Sequence, residues 1–168
     1  MAAGAYTAVE QPLGDFVVDV ERCGSDKFAR DVIEHQQPTS PRGPRKITKA
    51  EAALRYARIL TDHQIERLPD VTALLSIADS DRLVTVETDL ATVPGHGGGI
   101  RISYLWMLAG DDQHIKADRM VRRWLSRALG RHEVSVREAT ELVSAAAGHL
   151  NATPWMLDHA IWKSERWR

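Results

Sequence analysis

Two short stretches of the sequence carry groups suited to chemistry, and the first is the glycine-rich run VPGHGGG from Val93 to Gly99. Glycine adopts positive φ angles readily and lets a phosphate oxygen approach bare backbone N–H groups at the start of a helix. The run therefore predicts an anion-binding site. It is equally typical of a tight turn between two helices that binds no ligand.

The second stretch begins at Asp118, immediately before an amphipathic segment where a helix is expected to start. A carboxylate at a helix start stays ionised because backbone N–H groups and the helix dipole stabilise its charge. Such a group can stabilise a cationic transition state or orient a water molecule. An ordinary N-cap explains Asp118 as well, because Asp is among the preferred residues at that position.

Arginines form a stripe on the segment that follows. Arg119, Arg123 and Arg127 are spaced at i, i+4 and i+8, and Arg122 lies beside them. A stripe of this kind faces the phosphates in proteins that bind duplex DNA, even where the net charge is near zero. A solvated helix face has the same pattern, so the sequence leaves both interpretations open.

The elements that must position these residues are predicted to be helices. Capping boxes at Thr48 and Ser135, and the pair Thr153-Pro154, indicate three helix starts. The apolar segment after the glycine run predicts a central helix surrounded by others. Further helices are expected from Ser25 or Asp26 to about Gln36 and around 71–78.

Two segments are left undecided between helix and extended structure. Asp15 to Val20 contains several valines and fits either a short strand or an extended segment that packs on the core. Residues 80–93 mix strand-like and helix-like patterns. The other signals favour an all-α architecture.

Composition narrows the class of protein. The 168 residues, 43% hydrophobic and 27% charged, suit one globular domain or two small lobes. The 22 basic and 23 acidic residues give a net charge of -1, so a polyanionic partner must be met by a local patch. Cys23 is the only cysteine, which excludes internal disulfides, cysteine-rich zinc sites and four-cysteine iron–sulfur clusters.

Location and metal content follow from what the sequence lacks. There is no basic and apolar leader and no long apolar run, so we expect a cytoplasmic, nucleoid-associated protein with no membrane partner. The seven histidines show no metal-ligand spacing, and we expect no metal site.

The glycine run and Asp118, in this order, resemble the helix-hairpin-helix (HhH-GPD) DNA glycosylase superfamily, the endonuclease III and adenine glycosylase relatives. Its members carry a Leu-Pro-Gly-Val-Gly-x-Lys-Thr-Ala hairpin, a helix that ends in glycine, and a Val-Asp-x-His-hydrophobic-x-Arg segment with a catalytic Asp. The matching residues here are Pro94, Gly95, Gly97, Gly110, Asp118 and Arg123. The resemblance extends from about Asp26 to Trp162, but only the interval from hairpin to Asp118 is specific.

The resemblance implies an all-α body of two lobes with a cleft between them. One lobe would hold residues 25–116 with the helix-hairpin-helix motif, and the other would combine 1–24 with 117–168. Double-stranded DNA would be the partner, with a base flipped into the cleft. Asp118 would be the catalytic carboxylate, and Gln37 would fill the gap left in the base stack. The implied DNA-binding residues are Gly95, His96, Gly97, Gly98, Gly99, Gln37, Arg119 and Arg123.

Departures from the family pattern limit the expected chemistry. Gly99 occupies the place of the hairpin lysine, so lyase chemistry through a Schiff base is not expected. The cluster cysteines are missing, so no cofactor is expected beyond a monovalent cation at the hairpin when DNA is bound. We therefore expect a monofunctional glycosylase. The alternatives are a DNA-binding accessory module without catalysis and a helical protein-interaction domain that binds no nucleic acid.

Overall fold

The computed structural model describes residues 11–34, 36–39, 47–76, 80–95 and 99–166. Within these ranges the regular elements are helices, which confirms the all-α prediction. Helices α1 to α9 span, in order, Leu13–Cys23, Ser25–Asp31, Lys49–Asp62, Leu68–Ser76, Ser80–Ala91, Ile100–Leu108, Arg119–Ala128, Val136–His149 and Pro154–Glu165. None of these helices is both long and apolar enough to cross a membrane.

The chain divides into two compact units. The described residues of Met1–Leu74 and Asp79–Gly95 form unit 1, and those of Leu75–Ala78 and His96–Arg168 form unit 2. This division differs from the lobes implied by the resemblance. Helix α1, expected with the C-terminal helices, packs on α3 in unit 1. Helix α6, expected with the first lobe, lies in unit 2 together with α7, α8 and α9.

Helix α1 covers the segment that was left open as a strand or an extended stretch. Val20 is completely buried while Val18 is 56% exposed. The ring of Phe16 meets that of Phe28 on α2 edge to face, with ring centroids 5.7 Å apart. Packing against α2 and α3 therefore outweighs the preference of β-branched residues for strands.

Helix α2 is shorter than predicted. Gly24 lies at its N-cap position, rather than Ser25 or Asp26, and the helix ends at Asp31 instead of near Gln36. Val32, expected on its buried face, is 63% exposed. The apolar side chains beyond Asp31 therefore do not continue a helical stripe into the core.

Helix starts signalled by capping residues are confirmed. Thr48 Oγ1 accepts a hydrogen bond from the N–H of Glu51 at 3.1 Å, and Ser135 Oγ accepts one from Glu138 at 3.1 Å. Thr153 caps α9 in the same way, with Pro154 in the first turn. These contacts satisfy backbone donors that have no partner inside the helix.

Two helices differ from what their patterns indicated. The undecided segment 80–93 forms α5, and the expected central helix is only partly enclosed. Of the apolar residues of α6, Ile102 and Trp106 are buried, but Tyr104 is 37% exposed and Leu108 68% exposed. The prediction of a helix covered on all sides is therefore wrong, since only one of its faces packs inward.

Candidate carboxylate site

In the segment that leads into α7, side chains alternate between buried and partly exposed positions. Ile115 and Ala117 are buried in the apolar core of unit 2, together with Val121 and Leu125 of α7. Lys116 and Asp118, which alternate with them, are only partly buried. Alternation of this kind is expected where an extended strand of chain lies on a core.

Asp118 is the N-cap of α7, as predicted. Its Oδ1 accepts hydrogen bonds from the backbone N–H groups of Met120 at 2.7 Å and Val121 at 3.4 Å. The other carboxylate oxygen, Oδ2, lies 3.9 Å from the ammonium nitrogen of Lys116, and 27% of the side chain stays exposed. The helix start and the lysine place positive charge beside Asp118, and solvent can still reach its carboxylate.

Lys116 is itself held in place by α6. Its Nζ lies 4.1 Å from the centre of the Tyr104 ring, a distance at which an ammonium group is attracted to the ring face. The tyrosine therefore helps to fix the amine beside Asp118. Neither Lys116 nor Tyr104 was singled out from the sequence as a site residue.

A second carboxylate, Asp158, interacts electrostatically with Asp118 and Lys116. It lies in the second turn of α9, whose start is tied to the loop between α6 and α7 by a hydrogen bond from the Trp155 N–H to the Asp112 carbonyl at 3.0 Å. Asp158 is 7% exposed, and its Oδ1 has no hydrogen-bond partner among the described residues. A buried polar atom without a partner is rare in folded proteins and costs free energy.

The environment of Asp158 disfavours its charged form. Burial is the main cause and the Asp118 charge is the second, and together they raise the pKa of Asp158 from 3.8 to about 6. A backbone hydrogen bond from Lys116 and the charge of its amine act in the opposite direction. The site thus combines a partly exposed carboxylate with a buried acid whose pKa lies well above the usual range.

The buried face of α9 carries another acid whose situation is the opposite. Glu165 is 3% exposed and lies on the same helix face as Asp158 and Ile161. It forms ion pairs with Arg127 and, at 3.4 Å, with Arg123 of α7. The Arg127 hydrogen bond is the main reason that the pKa of Glu165 is lowered. Glu165 is therefore an internal counter-ion, whereas Asp158 has no comparable cation.

These ion pairs change the interpretation of the arginine stripe. Arg123 and Arg127 are about half exposed, with side chains 51% and 43% accessible, and they cover the buried Glu165. The stripe is therefore more than a solvated helix face, because two of its members hold α7 to α9. Arg119 is exposed and has no ion pair or hydrogen bond among the described residues.

The remaining predicted site residues are distributed over both units. Gly99 is the N-cap of α6, with φ 91°, and lies in unit 2 with Asp118. Gly95 has φ 86° and lies in unit 1. His96, Gly97 and Gly98 lie outside the described residues. At Gly95 and Gly99 the positive φ angle explains why the chain has glycine.

Gln37, predicted to fill a gap in a base stack, lies in unit 1 beside the start of α3. Its carbonyl accepts the backbone N–H of Lys49 at 3.0 Å, and its side-chain Oε1 accepts the Lys49 ammonium group at 2.8 Å. These bonds accompany the isolated bridge between Pro38 and Thr48. Gln37 is exposed but is tied to its own unit through Lys49.

Unit 1 contains a separate small cluster of polar groups. A cavity of about 230 Å³ is lined by side chains that include Asp62, His63, Asp89 and Thr92. His63 Nε2 lies 2.7 Å from Asp89 Oδ2. In the described part of the chain no three His, Cys, Asp or Glu side chains are grouped so as to hold a metal ion.

Comparison with known proteins gives one family. The model of the family described as Domain of unknown function (DUF8548) matches residues 3–166. The chain belongs to this family. The DUF8548 match includes both units and every residue of the carboxylate site. No curated protein and no solved structure matches the chain.

Sequence reasoning identified Asp118 but missed Asp158. A signal was present, because Pro154, Asp158, Ile161 and Glu165 recur at i, i+4, i+7 and i+11 and all four are buried. An acid in such an inward-facing row must be paired or must shift its pKa. Which of these applies to Asp158 depends on residues that are distant in the sequence.

Proposed function

We propose that this protein is a monofunctional DNA glycosylase-like hydrolase. It acts on a damaged or mismatched base flipped out of double-stranded DNA, with Asp118 as the catalytic carboxylate. The observation that carries the proposal is the partly exposed carboxylate of Asp118, which two backbone N–H groups hold at the start of α7. The motif order from the glycine run to Asp118 supplies the substrate class.

The reaction requires a negative charge that is already in position before the bond between base and sugar breaks. As the bond between base and sugar breaks, positive charge develops on the sugar ring, and a carboxylate already in place stabilises it. A water oxygen then bonds to the anomeric carbon, and the departing base takes up a proton. Because Asp118 is held by two backbone N–H groups, its carboxylate does not need to reorient during the reaction.

Asp158 and Lys116 shape the electrostatics around this carboxylate. Burial makes Asp158 the acid that takes up a proton as the pH falls toward about 6. Lys116 offsets the repulsion between the two acids at higher pH. With Gly99 at the hairpin position of the lyase lysine, the proposed reaction ends at base release and leaves the strand intact.

The test is a base-excision assay across many lesions and mismatches, with abasic sites revealed by alkali. Asp118→Asn is the informative variant, because Asn is as good an N-cap as Asp and only the charge is removed. We expect base release to fall by about 10²–10³-fold, the usual effect of losing one electrostatic group in an active site.

Asp70→Asn is the matched control. Asp70 Oδ2 also accepts backbone N–H groups near a helix start, those of Glu66 and Arg67 at 2.9 Å. The control should retain activity. Equal base release by wild type and Asp118→Asn would contradict the catalytic assignment.

A catalytically inactive DNA-binding module is the second candidate, and it is favoured by Arg119, which lies beside Asp118, is exposed and has no ion pair with any described residue. Salt-dependent duplex binding without base release from any lesion would select this module. If the protein shows no salt-dependent duplex binding, both proposals fail and a protein-interaction domain is left.

A further inference from the structure

A cavity of about 280 Å³ lies in unit 2 between one side of α7 and the loop that leads to α8. Its α7 side has the spacing i, i+3, i+4 and i+7, which places the side chains on one helix face. The polar lining residues are Arg119, Arg122, Arg123 and Ser126 from α7, and His132 and Glu133 from the loop. Asp118 and Asp158 do not line it.

One of these arginines is fixed in position by the protein. Arg122 Nε donates a hydrogen bond to the carbonyl of the buried Val134 at 2.9 Å, and one of its terminal nitrogens lies 3.5 Å from Glu133. A guanidinium group has five N–H donors, so donors remain after these two contacts. The planar group is therefore held at the cavity wall with spare donors.

The cavity has more donors and positive charge than its own acceptors can satisfy. Three guanidinium groups face a single lining carboxylate, Glu133, whose side chain is 82% exposed, and Arg123 also pairs with Glu165, which does not line the cavity. Arg119 has no partner among the described residues, and the same holds for the side chains of Ser126 and His132. An oxoanion supplies the acceptors that this arrangement lacks.

We propose that this cavity binds a phosphate group. Three arginines with a hydroxyl and an imidazole suit a tetrahedral anion that accepts several charge-assisted hydrogen bonds at once. The phosphate can belong to a nucleic-acid backbone or to a small phosphorylated molecule, since both present the same oxygens. The proposal rests in part on the proposed function, because Arg119 and Arg123 are also among its DNA-binding residues, but neither Asp118 nor Asp158 lines the cavity, so phosphate binding and base release can fail separately.

The test uses inorganic phosphate as the probe, titrated into the full chain at fixed ionic strength and followed by calorimetry. Arg119→Gln is the informative variant, because this exposed side chain makes no hydrogen bond or ion pair within the described part of the chain. We expect saturable binding at one site in the wild type and about tenfold weaker binding in Arg119→Gln, as loss of one charge-assisted hydrogen bond predicts.

Arg137→Gln is the matched control. Arg137 is a 90% exposed arginine on α8, so this substitution removes the same charge from another place on the surface. It should bind phosphate as the wild type does. Absence of saturable phosphate binding to the wild type would overturn the proposal, and so would equal weakening by both variants, because that result indicates net charge alone.

A second arm with a short DNA duplex identifies the source of the phosphate. If the site takes a nucleic-acid backbone, Arg119→Gln lowers the slope of log affinity against log salt by about one relative to Arg137→Gln. If it takes a small phosphorylated molecule, both variants bind the duplex alike. Base release in the Asp118→Asn assay is a separate readout, so failure of either proposal is recognised independently.

Discussion

Replacing Asp158 by Asn should change how the stability of the protein depends on pH. In the folded protein the pKa of Asp158 is raised from 3.8 to about 6, chiefly by burial. The folded state then binds the proton more tightly than the unfolded state does. The stability contribution of the acid is therefore fully present below pH 4 and is lost as the pH rises through about 6.

The size of the effect follows from the shift. At 1.36 kcal/mol per pKa unit, a rise from 3.8 to about 6 corresponds to about 3 kcal/mol. Asparagine has nearly the same shape and retains an oxygen that can accept the Lys116 backbone N–H, but it does not ionise. The free energy of unfolding of Asp158→Asn, relative to wild type, should therefore increase by about 3 kcal/mol from pH 4 to pH 8.

The assay is urea unfolding at one-unit pH intervals, followed by tryptophan fluorescence and by circular dichroism. Asp118→Asn should reduce the pH-dependent span without abolishing it, because the Asp118 charge is the smaller of the two causes. Asp112→Asn, which removes an exposed acid from the same unit, reports the general effect of losing a charge. A difference between Asp158→Asn and wild type that stays constant from pH 4 to pH 8 would show that the pKa of Asp158 is not raised by folding.

Two further predictions concern α9 and the ends of α7 and α8. Glu165→Gln should lower the urea midpoint at pH 7, because Arg123 and Arg127 lose their counter-ion. The difference in urea midpoint between the variant and wild type should become smaller in acid, because Glu165 is protonated as the pH falls through its lowered pKa. An equal difference at pH 3 would contradict the role of Glu165 as a counter-ion. Gly148→Ala should stabilise α8 by about 0.5–1 kcal/mol, because the helix has space for a methyl group there. Gly130→Ala should destabilise by about 1 kcal/mol, because φ is +63° at that residue; melting shifts of the same sign in the two variants would disprove this account.

Local signals in the sequence predicted the later part of the chain better than its start. Caps at Thr48, Ser135 and Thr153 are where the sequence placed them, because capping depends on residues within one helical turn. The valines of α1 gave no such signal, and this segment is helical because it packs on α3. The hairpin expected from the glycine run remains a prediction, because His96, Gly97 and Gly98 lie outside the described residues.

Only part of the candidate site could be identified from the sequence. Asp118 could be identified because it directly precedes a strongly amphipathic helix, and it caps that helix as expected. The role of Arg123 and Arg127 could not be foreseen, because their partner Glu165 lies about forty residues away and is buried only when α9 packs on α7.

Composition, caps and periodicity, read from the sequence alone, determined an all-α protein with an ionisable group at the start of α7. It took the folded chain to show that Asp158 is buried within electrostatic reach of Asp118, whereas Glu165 is buried under two arginines. The physical reason is that the free energy of a buried charge depends on which distant side chains surround it, and chain folding alone brings those neighbours together.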